Sequence, residues 1–120
     1  MTAHWLTRHG WVSIIVAKVP AVRPVVKLLR GAEWAAFEAA GRFDGSPDDL
    51  RDGYIHLSTP EQAEATRARH FAGESGLWQV TLDADTLGPA LRWEVSRGGV
   101  SFPHLYRALE ADDVVTAVAL

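Results

Sequence analysis

The sequence predicts a single α+β domain. Two helix signatures, Ala32–Gly41 and Thr59–Gly73, fall in its first part, and strands with alternating apolar and polar residues dominate the end. Short clusters of Gly, Pro, Asp and Ser separate these segments, as they do between elements of a compact domain.

Each element has its own reason. In Arg23–Arg30, RPVVKLLR, β-branched and apolar residues surround Lys27, which reads as the first strand of the domain, ended by Gly31. Trp34, Phe37 and Ala36 or Ala40 recur at helical spacing before Gly41, a natural helix stop. The segment RFDGSPDDLRDG is dense in turn formers and reads as a loop leading into the strand YIHLS. Thr59, Pro60 and Gln62 form a capping-box signature that opens the second helix, closed by Gly73 and Gly76. Leu77–Ala84 alternates as a half-buried strand. Ala90–Ser96 does the same, with Leu91, Trp93 and Val95 on one face and Arg92, Glu94 and Ser96 on the other. Gly98-Gly99 marks a turn, Phe102–Tyr106 an aromatic approach to the last segment, and Val114–Val118 a final strand. Trp34, Trp78 and Trp93 suit core positions.

At 120 residues and 13.1 kDa the chain holds one ordinary domain core. A net charge of -3 and a pI near 5.9 give no electrostatic footprint for nucleic acid. With no cysteine, thiolate zinc sites, disulfides and thiol nucleophiles are excluded, which fits a cytoplasmic protein. The charge is uneven: Arg8, Lys18, Arg23, Lys27 and Arg30 precede the first acidic residue, Glu33. Residues 1–22 read as an N-terminal extension, either a flexible arm, a segment packed on the domain, or translation begun upstream of the true start. Their apolar run, Trp11–Ala17, is far short of the roughly 20 residues a membrane span needs, and no clean cleavage site follows it.

Three clusters could carry chemistry. His56 and Ser58 share one face of a strand just before a helix N-terminus, whose free N–H groups favour an anion. Spacing alone equally allows a histidine bonded within the fold and a serine that helps cap the helix. Arg92, Glu94 and Ser96, followed by Arg97, offer a carboxylate for base chemistry and a guanidinium for phosphate, or else the solvated side of an edge strand. Phe102, His104 and Tyr106 bracket a proline-stiffened segment able to stack on a nicotinamide or nucleobase, or to plug the core. Asp48, Asp49 and Asp52 lack the spacing of a calcium loop and read as turn formers. His4, His9 and His70 have no partner spacing, no HExxH, P-loop or GxGxxG pattern is present, and no metal is expected.

In order and at these intervals, VVKLL, AEW, GRFDGS, DGYIHLST with Gln62, FAG, LRWE, SRGG and FPHLYRAL resemble the bacterial family called domain of unknown function 952. The resemblance covers about Pro24 to Leu120, so residues 23–120 are assigned to that domain. It implies an ADP-ribosyltransferase-like fold of split β-sheets with two or more short helices towards the N-terminal half, similar to RNA 2′-phosphotransferase. It also implies a cleft for NAD or ADP-ribose as the small-molecule, nucleotide-like partner; the net charge indicates no nucleic acid, and the short apolar run no membrane. Carried over by position, Lys27 takes the first-strand site, His56 and Ser58 the second, and Glu94 or the Tyr106 region the third; with the clusters above, this makes His56 and Glu94 the catalytic candidates and Lys27, Ser58, Arg97, Phe102, His104 and Tyr106 the ligand-binding ones. Members often read Tyr-His where this chain has Val26-Lys27, and Gly-Pro where it has Arg107-Ala108. The implied activity is an ADP-ribosyl or phosphoribosyl-type transfer; the alternative is a module that binds a nucleotide or small anion without transforming it.

Overall fold

The computed structural model describes residues 23–120 apart from the Arg97 side chain, and, before them, the backbone of two strands. Those strands, β1 (Thr2–Thr7) and β2 (Gly10–Ile15), pair with each other, and β1 lies antiparallel to the last strand, β10 (Val114–Ala119). The five-stranded antiparallel sheet runs β2-β1-β10-β6-β3, with β3 at Pro24–Leu29 and β6 at Trp78–Asp83. A second sheet runs β5-β8-β7, from Ile55–His56, Ser101–Leu105 and Leu91–Val95. Two short strands, β4 (Arg42–Phe43) and β9 (Leu109–Glu110), form a third. With four α-helices among these sheets in the described residues, the architecture is α+β.

The main core lies on the side of β3 that carries Val25 and Leu29, against β6, β8, β10 and helix α1 (Gly31–Ala40). Trp34 and Phe37, three apart on α1, are both buried, and Trp34 stacks on Trp78 at 5.2 Å. Full burial of one such ring contributes about 1.5–3 kcal/mol. Gly41 ends the helix in the left-handed region at φ 72°, its N–H donating to Phe37 O at 2.8 Å. The other side of β3 packs Val26 and Leu28 on Ala63 of helix α3 (Pro60–His70), capped by Thr59 and Gln62 as the sequence predicts.

Three expectations change. RFDGSPDDLRDG is not a loop throughout: Pro47–Asp52 form helix α2. The Ser46 hydroxyl accepts from the Asp49 N–H while the Asp49 carboxylate accepts from the Ser46 N–H, with Pro47 at the first position and Gly53 ending the helix at φ 86°. This is the device that opens α3, hidden among residues that favour turns. The Phe102–Tyr106 segment is mostly the strand β8, at the centre of its sheet. Trp93 is no core residue: it shares a face with Leu91, which packs on the core, but β7 is the edge of its sheet, and towards its end the strand leaves Trp93 45% and Val95 71% exposed. The fourth helix, α4 (Ala84–Leu87), is one turn at the end of β6.

Candidate functional site

The two larger sheets meet at one antiparallel bridge. Val26 N–H donates to Ser58 O at 2.7 Å, and Ser58 N–H returns a bond to Val26 O at 2.9 Å. Beside this seam opens a cleft of about 350 Å³, walled by β3, α2, β5, α3 and the start of β8.

Lys27 lies on the core-facing side of β3 with Val25 and Leu29, so its ammonium must find a partner inside the protein. It finds Asp49, which is 2% exposed: Nζ lies 2.9 Å from Oδ2 and 3.2 Å from Oδ1, and also donates to His56 O at 3.1 Å. The Asp49 carboxylate further accepts from His56 N–H at 3.0 Å and faces His56 Nδ1 at 2.7 Å. Burial pushes the Asp49 carboxyl up. The His56 ring, the Lys27 charge and two backbone N–H groups outweigh that and hold it well below the usual carboxylate range. His56 Nε2 meets Asp52 Oδ2 at 3.0 Å, so both ring nitrogens face carboxylates. Gly45 makes room for this centre. A Cβ there would lie 2.8 Å from the Asp49 Cβ, and its φ of 141° disfavours other residues.

A second carboxylate–histidine pair stands one strand away. His104, buried on β8, is the register partner of His56, and the two rings lie 5.8 Å apart. Its Nδ1 meets Glu94 Oε1 at 2.9 Å, and Tyr106 O–H donates to the same oxygen at 2.6 Å. The Tyr106 bond, then that of His104, lowers the Glu94 carboxyl pKa; the Glu94 bond raises the Tyr106 phenol. With Nδ1 held, His104 Nε2 has no partner among the described residues. Tyr54 lies over both imidazoles, stacked on His104 at 4.1 Å and tilted to His56 at 4.6 Å. Burial, then the nearby Asp52 and Glu94 charges, raises the Tyr54 phenol.

Of the residues singled out in the sequence, Lys27, His56, Ser58, Phe102 and His104 line one cleft. Ser58 is buried, and its hydroxyl shares a 2.9 Å bond with Thr66 on α3. Glu94 and Tyr106 are outside the cleft wall and join it through His104. The Arg97 side chain lies outside the described residues. Lys27 is engaged in the interior rather than poised for a phosphate. The residues missed are Asp49 and Tyr54: Asp49 was marked by the Ser46-Pro47 cap signature, whereas nothing in the spacing marks Tyr54.

These features define a mixed α+β domain whose two sheets hold a histidine-lined cleft. The chain belongs to the family described as Protein of unknown function (DUF952), whose model matches residues 28–117. Its fold is similar to that of CC0527 from Caulobacter crescentus. The crystal structure of that protein is 48% identical, with TM-score 0.77, over 79% of this chain and 83% of the other. Its solution structure is 48% identical with TM-score 0.74, over 82% and 84%. No curated protein matches. Among the described residues, no helix is long and apolar enough to cross a membrane.

Proposed function

We propose that the cleft binds the nicotinamide-ribose end of NAD, or the matching end of ADP-ribose, and that the domain transfers the ADP-ribosyl group. The observation that carries this reading is the pair of facing imidazoles, His56 and His104, each anchored by its own carboxylate under the ring of Tyr54. The lining charges agree with it: Glu33, Asp48, Asp49 and Asp52 stand against Lys27, Arg30 and Arg51. Such a wall favours the cationic nicotinamide ring and the positive sugar that forms as it leaves. The pyrophosphate then extends towards the mouth, since Lys27 is spent on Asp49 and Arg30 is bonded to Glu74. The resemblance to ADP-ribosyltransferase-like domains supports the same ligand class.

In this reading the glycosidic C–N bond breaks and its electron pair leaves with nicotinamide. An acceptor oxygen or nitrogen bonds to the ribose carbon, and its proton passes to His104 Nε2. Glu94 holds His104 in the tautomer that leaves Nε2 free to accept. A second reading, binding without transfer, draws on one observation: Glu94 lies outside the cleft wall, away from the sugar.

Thermal unfolding with and without NAD or ADP-ribose, paired with an assay for released nicotinamide, decides between them. Ligand at about 100 times its Kd stabilises by roughly 2.7 kcal/mol, a shift of several degrees. Transfer predicts that shift with NAD and nicotinamide release that His104→Ala abolishes. Binding without release selects the second reading. No shift with either compound removes the nucleotide class.

A further inference from the structure

Strand β7 ends its sheet, and the residues along it read Leu-Arg-Trp-Glu-Val about the central Trp93. We propose that two copies of this chain associate through their β7 edges, antiparallel about a two-fold axis at Trp93, and that each copy places Arg92 beside Glu94 of the other.

The backbone is prepared for this. Trp93 is in register with Pro103, which has no N–H to give. The Pro103 carbonyl accepts from Leu57 N–H at 3.1 Å on the β5 side. Trp93 therefore has nothing to bond in β8, and its N–H and C=O point to the open edge, where a second Trp93 would complete a hydrogen-bonded pair. Antiparallel pairing at that register sets Leu91 opposite Val95, and Arg92 opposite Glu94 twice, in the closer, non-hydrogen-bonded positions.

The side chains on both faces fit the same symmetry. On the face that carries Leu91, the exposed Trp93 would meet the partner's Trp93 and the exposed Val95 the partner's Leu91, an exposure that an unprotected edge strand ordinarily avoids. On the face that carries His104, the Arg92 guanidinium lies 4.7 Å over the Tyr106 ring; its charge is felt by Glu94 of its own chain, but it forms no close ion pair among the described residues. Glu94 spends Oε1 on His104 and Tyr106, while its Oε2 has no partner among the described residues. A two-fold axis satisfies both, because a self-complementary surface must carry its own counter-charge at the mirrored position. Arg92 of the partner subunit would then bear on the carboxylate that orients His104, so assembly would complete the site.

Sedimentation or light scattering across a concentration series tests this, with charge swaps. The wild-type chain is expected to reach twice 13.1 kDa. Arg92→Glu gives a chain with two like acidic charges at the interface and Glu94→Arg one with two basic charges, so each alone should weaken association roughly tenfold or more. Mixed in equal amounts, the two variants should form a heterodimer that neither forms with itself. This arm also guards against a misfolded variant, since recovered association requires both chains to be folded. A wild-type monomer at every concentration overturns the proposal. So does a dimer indifferent to Arg92→Glu, or association lost in both variants and not recovered on mixing.

Discussion

Two carboxylate–histidine pairs stand on neighbouring strands, yet they occupy different physical settings. Asp49 is buried, and four donors converge on it: the Lys27 ammonium, the His56 ring, and the N–H groups of His56 and Ser46. The Glu94 side chain is 37% exposed and joins two side chains through one oxygen. An ion withdrawn from water must be fully compensated or the fold loses stability, whereas a solvated one can be changed cheaply. Asp49 is thus the strut that fixes α2, β3 and β5 around the cleft, and Glu94 the adjustable partner of a histidine.

The comparison breaks most decisively at Asp49. Asp49→Ala leaves the Lys27 ammonium buried without its counter-charge, and urea unfolding should show a loss of about 3–5 kcal/mol. Replacing both partners, Lys27→Met with Asp49→Leu, should cost clearly less than Asp49→Ala alone; an equal loss would show that the pair is not coupled. Acid comes next. The Asp49 carboxyl titrates lower in the folded chain than in the unfolded one, so the unfolded chain binds the extra proton first. The stability it contributes is complete above the ordinary aspartate range, about 3.9, and is lost as the pH falls through and below it. In Asp49→Asn that portion of the acid dependence should vanish, and an unchanged acid profile would contradict the assignment.

Glu94→Gln should be milder in every structural respect. The unfolding midpoint should hardly move, while nicotinamide release should fall, because a neutral amide that can donate as well as accept no longer dictates the His104 tautomer as the acceptor-only carboxylate does. A large fall in the midpoint would instead make Glu94 a second strut. Smallest of all is Tyr106→Phe. The Glu94 carboxyl, lowered first by the Tyr106 bond and then by His104, should titrate higher in the variant, and carbon-13 NMR of the glutamate carboxyls would follow it.

The contrast also explains what the sequence disclosed. The helices around Trp34 and after Thr59, and the strands around Val80 and Val114, announce themselves through apolar period and capping residues, which act over a few positions. His56 and Ser58 could be placed at a common wall for the same reason. The cap spacing from Ser46 singles out Asp49 among its neighbouring aspartates, but not its role, which appears only when the folded chain brings it to Lys27, 22 positions earlier. Trp93 misled in the opposite direction: alternation sets it on the face of Leu91, which does pack on the core, but does not show that β7 is the edge of its sheet. The His56–His104 pairing depends on strand register between distant segments, which no local pattern encodes.

Gly45 carries a consequence for sequence variation within the family. Its missing side chain is what lets the Asp49 Cβ sit where it does, so the two positions form one unit of inheritance. Relatives that retain an aspartate at position 49 should retain glycine at 45, and lineages that lose one should lose or rebuild the other.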